Sequence, residues 1–171
     1  MSSGPRGPLP PVSIRAYRQA DTIDLAGLFR ASVHSVPQHD YSSSQARAWA
    51  STLIDEVRFG ERCASKSTWI AEIEGRIVGF SDLESDGHID LLYVHPDFQR
   101  RGVARALLEH IESTARESSL PRLYTEASIT ARPVFEARGF HVIAPQTVTV
   151  GGESMINYRM EKRFGPRPAG P

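Results

Sequence analysis

Residues 88–108 constrain the fold of this chain more than any other stretch. Residues 88–94 follow an apolar strand pattern, and the apolar residues of 103–115 recur at the three- and four-residue spacing of a helix. Between these two patterns lie Arg100, Arg101 and Gly102. A helix that begins in a glycine-containing loop presents unpaired backbone N–H groups, and its dipole adds partial positive charge at the same end. The segment therefore predicts a site that binds an anionic group such as a pyrophosphate.

This loop resembles a known motif. The residues Gln99-x-x-Gly102-x-Ala104 are similar to the acetyl-CoA loop Q/R-x-x-G-x-G/A of the Gcn5-related N-acetyltransferases, the GNAT family. Residues 92–96 are similar to the strand and turn that lead into that loop. The Walker pattern and the dinucleotide-binding pattern do not occur in the sequence. The resemblance implies acetyl-CoA as a cosubstrate whose pyrophosphate binds to this loop.

The resemblance assigns cofactor contacts to the strand end, the loop, the helix start and a later helix. In the family the main chain of this strand bulges, pairs with the pantetheine arm and polarises the thioester carbonyl, while the strand side chains belong to the core. A backbone N–H directed at that carbonyl stabilises the developing oxyanion. The implied cofactor residues are Leu92, Tyr93, Val94, Gln99, Arg100, Arg101, Gly102, Val103, Ala104, Arg105, Ser128 and Phe135.

A second segment, residues 131–140, resembles the family helix A-x-x-F-Y-E-K-x-G-F, which packs beside the cofactor thiol. Two residues depart from the family pattern: Ser128 stands where Asn is usual, and Phe135 stands where Tyr is usual. That tyrosine commonly protonates the departing CoA thiolate, and Phe135 has no proton to give. A thiolate whose conjugate thiol has a pKa of about 8.5 can leave unaided. Alternatively Ser128, a tyrosine such as Tyr158, or water supplies the proton.

The acceptor amine must lose a proton to become a nucleophile, which requires a base or a water chain. The family often uses a Glu or Asp on the strand before the loop. Asp90 and His88 lie on that predicted strand and share one face, because side chains alternate along a strand. We therefore predict Asp90 as the catalytic base, with His88 as the second candidate. The alternative is that both are scaffold residues.

Five polar and aromatic residues cluster between the first predicted helices, where the resembled fold roofs its acceptor pocket. A lining for the acceptor and a surface loop without a role are both compatible with this cluster. Its histidine spacing does not match the usual metal-binding patterns, so no metal is expected. Cys63 lacks a nucleophile signature and is expected to be buried or half-buried. The five residues are His34, His39, Asp40, Tyr41 and Trp49.

The element order predicts a mixed α/β fold. Strand and helix patterns follow the order β-α-α-β-β-β-α-β-α-β-β, and the fourth strand reaches the fifth through the long helix. The resemblance implies a mostly antiparallel central sheet flanked by helices, with a parallel pair, β4 and β5, that splays apart to hold the cofactor. It covers residues 67–162 well and the first 60 more loosely. We expect an N-acetyltransferase domain over residues 12–164, with flexible tails at 1–11 and 165–171.

The amino-acid composition limits the classes of molecule that the protein is expected to bind. Twenty basic residues balance twenty acidic ones, which gives no support for a nucleic-acid partner. The N-terminal residues contain no apolar run, so neither a signal peptide nor a membrane partner is expected. The single cysteine cannot form an internal disulfide, and we expect a cytoplasmic protein. The sequence is compatible with a homodimer.

These features favour an enzyme that transfers an acetyl group from acetyl-CoA to a small amine or a peptide amine by direct attack on the thioester. The loop identifies the donor but not the acceptor. Two alternatives stay open: a non-catalytic CoA-binding or regulatory module of the same fold, and a nucleotide-binding protein that uses the same loop.

Overall fold

The computed structural model describes residues 10–52 and 55–165, which form seven strands and five helices. The strands are β1 (Ser13–Ala16), β2 (Ser67–Ile73), β3 (Arg76–Leu83), β4 (Leu92–Val94), β5 (Arg122–Ser128), β6 (His141–Val150) and β7 (Glu153–Arg163). The helices are α1 (Thr22–His34), α2 (Ser43–Ala50), α3 (Glu56–Ala64), α4 (Val103–Glu117) and α5 (Arg132–Ala137). Of the predicted tails, 1–11 and 165–171, residues 1–9 and 166–171 lie outside the described residues.

The strands form two antiparallel sheets. The first has the order β1-β2-β3-β4, and the second has the order β5-β7-β6. In the described part of the chain, one parallel bridge, between His88 and Tyr124, joins them. Beyond this bridge β4 and β5 diverge, so each is an edge strand that faces the other across a gap. The mixed α/β fold with a splayed parallel pair is therefore confirmed.

Helix α4 covers the first sheet and its beginning is fixed by a close contact. Its apolar stripe, which includes Leu107, Leu108 and Ile111, is fully buried. A Cβ atom at position 79 of β3 would lie 2.7 Å from Val103 Cγ1 and 3.0 Å from the Tyr93 carbonyl oxygen. Only glycine fits there, because real Cβ atoms do not approach so closely. Gly79 therefore lets the first turn of α4 rest directly on β3.

Helix α2 connects the first half of the chain to the second sheet. The Ser42 hydroxyl accepts a hydrogen bond from the Gln45 backbone N–H at 3.2 Å, and the Gln45 side chain accepts one from the Ser42 N–H at 2.8 Å, which makes a capping box. The Gln45 amide also donates to the Ser154 carbonyl of β7 at 2.8 Å. The Tyr41 hydroxyl donates to the Ile156 carbonyl at 2.8 Å and accepts from the Ile129 N–H at 2.9 Å. The segment before α2 thus contacts β7 and the residue that follows β5, at one end of the gap.

The strand before the loop is shorter than predicted. The pattern predicted a strand over residues 88–94, but only Leu92–Val94 pairs regularly with β3. The buried Asp82 carboxylate accepts the N–H groups of Asp90 and Leu91 at 2.8 and 2.9 Å, in place of a strand carbonyl. A side chain therefore interrupts the ladder just before β4.

Other boundaries shift by one to three residues. The sequence predicts a long helix from about 101 to 117, and the structure begins it at Val103, because Gly102 has a left-handed backbone. The sequence around residues 53–62 predicts a helical piece or a turn, and the structure has helix α3 there, which Asp55 caps by accepting the Arg58 N–H at 2.7 Å. Residues 53 and 54 of that prediction lie outside the described residues. Among residues 10–52 and 55–165, no helix has both the length and the apolarity that a membrane span requires.

Candidate functional site

A cleft of about 590 Å³ lies between the diverging strands. One wall is β4 and the loop that follows it, and the other is the end of β5 with the start of α5. Every predicted cofactor residue except Arg101 lines this cleft. The cleft therefore brings together residues that the sequence separates by more than forty positions, although their contacts with a cofactor stay a prediction.

The loop between β4 and α4 has an unusual backbone. Arg100 has a φ of 60° and Gly102 has a φ of 78°, so two residues of the left-handed region lie two positions apart. For an arginine this conformation costs on the order of 1 kcal/mol, and such strain collects at functional sites. Alternation of left- and right-handed residues turns successive N–H groups toward one concave side, where an anion binds.

The N-terminus of α4 adds to this concave surface. No side chain caps the helix at Gly102, and no acidic residue occupies its first turn. The first intrahelical bond runs from the Ala106 N–H to the Gly102 carbonyl at 2.9 Å, which leaves the preceding N–H groups without helical partners. Residues 102–105 all line the cleft. The dipole and these N–H groups together favour an anion.

The two arginines of the loop differ in position. Arg100 lines the cleft, as does Gln99. The Arg101 guanidinium lies 5.0 Å from the centre of the Phe98 ring, and Arg76 lies 4.9 Å from the same ring. These cation–π contacts hold the Arg101 side chain outside the cleft wall. Arg101 does not line the cleft, and its contact with a cofactor stays a prediction.

The edge of β4 faces the cleft with its main chain. On its other side the strand pairs with β3, where Leu92 is opposite Ser81 and Val94 is opposite Gly79. Within the described residues no strand pairs with the edge that faces β5. Its outward N–H and C=O groups are free for an extended ligand.

The opposite wall carries the two departures from the family motif. The Ser128 hydroxyl oxygen accepts the Ala131 N–H at 3.0 Å, and its own proton faces no acceptor in the described hydrogen bonds. Phe135 is 2% exposed and packs edge-to-face on Phe140, with ring centres 5.1 Å apart. Tyr158, the other hydroxyl considered, packs beneath Arg132 and does not line the cleft.

Asp90 lines the cleft but is held by two cations. Its Oδ2 atom accepts hydrogen bonds from Lys66 Nζ at 2.7 Å and from Arg62 Nη2 at 2.5 Å. Burial by itself would raise the pKa of Asp90, but the hydrogen bonds and charges of Lys66 and Arg62 outweigh it and lower the pKa. The carboxylate therefore stays ionised and is a weak proton acceptor, which counts against the role predicted for it.

His88 lies behind the cleft wall rather than in it. Its Nε2 atom is 2.6 Å from the Glu126 carboxylate of β5, and its ring stacks on Tyr124 with centres 4.9 Å apart. Glu126 does line the cleft. Sequence reasoning missed Glu126; the period-two pattern of β5, with Leu123, Thr125 and Ala127 buried, could have placed it on the face opposite the core.

The acceptor cluster is only partly in the cleft. Of its five residues, Trp49 alone lines the cleft, edge-on to Tyr41 at 5.6 Å and to Tyr93 at 6.4 Å. Asp40 instead accepts a hydrogen bond from Thr130 Oγ1 at 2.8 Å, and the His39 side chain is 83% exposed. In the described part of the chain no group of three or more His, Cys, Asp or Glu residues could hold a metal.

Cys63 is fully buried, as expected. Burial raises the pKa of its thiol to about 11, with a smaller contribution from the charge of Asp82. A thiol with this pKa is protonated and unreactive at neutral pH.

Comparisons with known proteins agree with this architecture. A family model described as "Acetyltransferase (GNAT) domain" matches residues 37–162. The uncharacterized N-acetyltransferase YafP of Escherichia coli is 36% identical over 91% of this chain and 97% of its own length. A peptidyl-lysine N-acetyltransferase, YjaB of Escherichia coli, is 32% identical over 62% of this chain and 67% of its own.

Solved structures show the same likeness. A crystal structure of a GCN5-related N-acetyltransferase from Rhodopseudomonas palustris superposes with a TM-score of 0.86, at 36% identity over 91% of this chain and 96% of that one. The PaiA N-acetyltransferase of Thermoplasma acidophilum, solved with coenzyme A, shares the fold at 16% identity and a TM-score of 0.74, over 90% and 99% of the chains. The chain therefore belongs to the GNAT family of N-acetyltransferases, as its loop motif predicted.

Proposed function

We propose that this protein transfers an acetyl group from acetyl-CoA to an amine by direct attack of the amine on the thioester. The observation that carries the proposal is the strained loop at Arg100 and Gly102, which opens onto a cleft between two unpaired strand edges. An anion site joined to an extended slot suits a ligand with a pyrophosphate and a long amide-containing arm.

In this proposal the pyrophosphate binds the N–H groups of residues 102–105 and the charge of Arg100. The pantetheine arm extends along β4 as an added strand and donates to and accepts from its free main-chain groups. The thioester carbonyl then lies beside the main chain of Leu92–Val94, where a backbone N–H stabilises the oxyanion. Most of the rate acceleration comes from this contact and from holding the reactants together.

The acceptor amine enters from the opposite end of the cleft, beside Trp49 and Tyr93. Several curated relatives are named for acetylation of peptidyl lysine, and others for acetylation of an amino acid. We therefore propose a primary amine of a small molecule or a peptide as the acceptor. We also place the catalytic unit at residues 12–164.

The leaving thiolate receives its proton from Ser128 or from water. Ser128 is favoured by its place in the cleft wall and by a hydroxyl proton that is free to donate. Phe135 contributes an apolar surface under the thiol end of the cofactor.

Steady-state release of CoA in the presence of a panel of amines, amino acids, polyamines and lysine peptides tests the proposal. We expect turnover with at least one class of amine and none without an acceptor. Phe135 favours one alternative, a non-catalytic CoA-binding module, which tight acetyl-CoA binding without turnover on any amine would support. Thermal stabilisation by ATP equal to that by acetyl-CoA would instead support a nucleotide-binding protein.

A further inference from the structure

A carboxylate–imidazole pair lies where the strands begin to diverge. Glu126 Oε2 and His88 Nε2 are 2.6 Å apart. We propose that this pair is the proton acceptor of the reaction, with Glu126 contacting the acceptor amine and His88 receiving the proton behind it. The inference rests on the proposed acetyl transfer.

The bridge between the two sheets sets the position of the pair. The Ile89 N–H donates to the Tyr124 carbonyl at 2.9 Å, and the Tyr124 N–H donates to the Gly87 carbonyl at 3.0 Å. These bonds fix His88 against β5, where its ring stacks on Tyr124. Glu126 follows two residues later on the same face of β5, toward the opening. Glu126 is therefore the charged residue of β5 that lines the cleft.

The two members of the pair differ in access to the cleft. The Glu126 side chain is 40% exposed and lines the cleft, whereas the His88 side chain is 17% exposed and does not. A substrate amine can thus reach a carboxylate oxygen but not the imidazole. Glu126 is the catalytic residue of the pair, and His88 acts through it.

Asp90 does not compete for this role. Both of its cationic partners, Lys66 and Arg62, bind the same oxygen, Oδ2. A proton on either carboxylate oxygen would cancel the negative charge on which these two charge-assisted hydrogen bonds depend, and each of them contributes about 1.5–3 kcal/mol. Glu126 is the other carboxylate among the lining residues described here, and His88 is its hydrogen-bond partner.

Several charged groups surround His88. The Glu84 carboxylate lies 3.4 Å from its Nδ1, and Glu84 is itself bound to Lys66 at 3.0 Å. Asp86 accepts the His88 backbone N–H at 3.1 Å and also binds the Tyr124 hydroxyl. From the second sheet, Arg159 of β7 is opposite Glu126 and Arg122 lies over the Tyr124 ring at 4.7 Å.

These groups set the pH range of the pair. Burial lowers the pKa of His88, but the hydrogen bond to Glu126 and the charges of Glu126 and Glu84 outweigh burial and raise the pKa above its ordinary value of 6.5. A protonated pair cannot accept another proton at neutral pH. The form with neutral His88 and ionised Glu126 is the active one, so turnover rises as pH increases through the raised pKa of His88.

The proton balance is complete without a further reactant. An ammonium substrate passes one proton to Glu126, and the proton moves to His88 Nε2. The amine nitrogen then forms the N–C bond with the thioester carbonyl, and the C–S bond breaks as CoA thiolate leaves. The nitrogen releases its second proton, the thiolate gains one, and His88 returns one to solvent. The net products are the amide, CoA thiol and one proton.

Glu126→Gln, compared with the matched control Glu72→Gln, tests the pair. Glu72 is also a strand carboxylate that accepts a side-chain hydrogen bond, from Arg15 Nε at 2.8 Å, and it does not line the cleft. We expect Glu126→Gln to lower kcat by about 100-fold, in the range for loss of a general base. The dissociation constant of acetyl-CoA, measured by calorimetry, should not change. Glu126→Asp should recover part of kcat, and Glu72→Gln should keep kcat near that of the wild type.

A histidine titration followed by NMR gives a readout besides activity. Glu126→Gln should lower the pKa of His88, and the ascending limb of kcat against pH should move with it to lower pH. Wild-type turnover combined with an unchanged kcat and pH profile in Glu126→Gln overturns the pair and leaves the acetyl transfer standing. Absence of turnover in the wild type with every amine overturns both. Equal losses of kcat in Glu126→Gln and Glu72→Gln would show a merely structural role and also overturn the inference.

Discussion

Arg100 and Gly102 hold left-handed backbone angles two residues apart, with φ values of 60° and 78°. Backbone strain of the kind seen at Arg100 persists where the surrounding structure enforces it, and it is common at functional sites. In this chain the strained backbone forms the concave set of N–H groups at the start of α4. We therefore expect that a single substitution in this loop can lower ligand affinity without unfolding the protein.

Gly102→Glu should lower acetyl-CoA affinity by at least about 100-fold. The new carboxylate repels the pyrophosphate and competes for the N–H groups, and two lost charge-assisted hydrogen bonds of about 1.5 kcal/mol each give that factor. Calorimetry with acetyl-CoA measures it. Gly152→Glu is the matched control, since Gly152 has a φ of 82° and equally open space around its Cβ position. Equal affinity losses in both variants would contradict the loop assignment.

Gly79→Val should destabilise the fold and weaken acetyl-CoA binding together. Its side chain would enter the space of Val103 and of the Tyr93 carbonyl, and overpacking of this kind costs about 1–3 kcal/mol. The first turn of α4 must then move away from β3, which misplaces its N–H groups. Urea unfolding and acetyl-CoA titration check the two effects. Gly27→Ala, at a helical glycine with nothing within 4 Å of its Cβ position, should leave both near wild type.

Asp90→Asn should change the free energy of unfolding at low pH more than it changes the pH dependence of kcat. The pKa of Asp90 is lowered below its ordinary value of 3.8, so its ion pairs stabilise the fold above that pH. Their contribution is lost as pH falls through the lowered pKa. The variant should therefore have a lower free energy of unfolding at pH 7, by about 1–3 kcal/mol, and a flatter decline toward pH 3. Loss of the ascending limb of kcat in Asp90→Asn would instead return Asp90 to the role of base.

Trp49→Ala should raise the KM of the acceptor and leave acetyl-CoA affinity unchanged. The indole lines the cleft beside Tyr93, at the end away from the loop. Removal of a buried aromatic contact costs about 2 kcal/mol, which corresponds to a roughly 30-fold change. Initial rates at saturating acetyl-CoA measure it. Trp49→Phe should keep most of the affinity, and an effect confined to acetyl-CoA would contradict this placement of the acceptor.

The part of the site that sequence alone predicted lies in two short segments of the chain, one around the loop and one that contains Ser128 and Phe135. The strand, the loop and the start of α4 span some twenty residues, and local backbone rules together with the motif were enough to place them. The contact of the Arg101 side chain with Phe98 could not be predicted, because it depends on side-chain packing that no spacing rule contains.

The part that sequence alone missed depends on distant contacts. Lys66 reaches Asp90 across 24 residues, and His88 reaches Glu126 across 38. The pairing of β5 with the segment before β4 decides which carboxylate is neutralised and which faces the cleft. The alternating pattern along one strand indicated Asp90 and His88. It could not indicate Lys66 and Arg62, which bind Asp90, or Glu126, which lies between His88 and the cleft.

The bridge between His88 and Tyr124 connects the two sheets, which therefore resemble one sheet that is interrupted between β4 and β5. A pantetheine arm laid along β4 would act as the missing strand between them. The cosubstrate would then contribute to tertiary structure as well as to chemistry, because it would add main-chain hydrogen bonds between two sheets whose described strand pairing is one bridge. Hydrogen exchange of the main-chain amides in β4 and β5 should slow together when acetyl-CoA binds, and the donor would in this way complete the surface that the acceptor encounters.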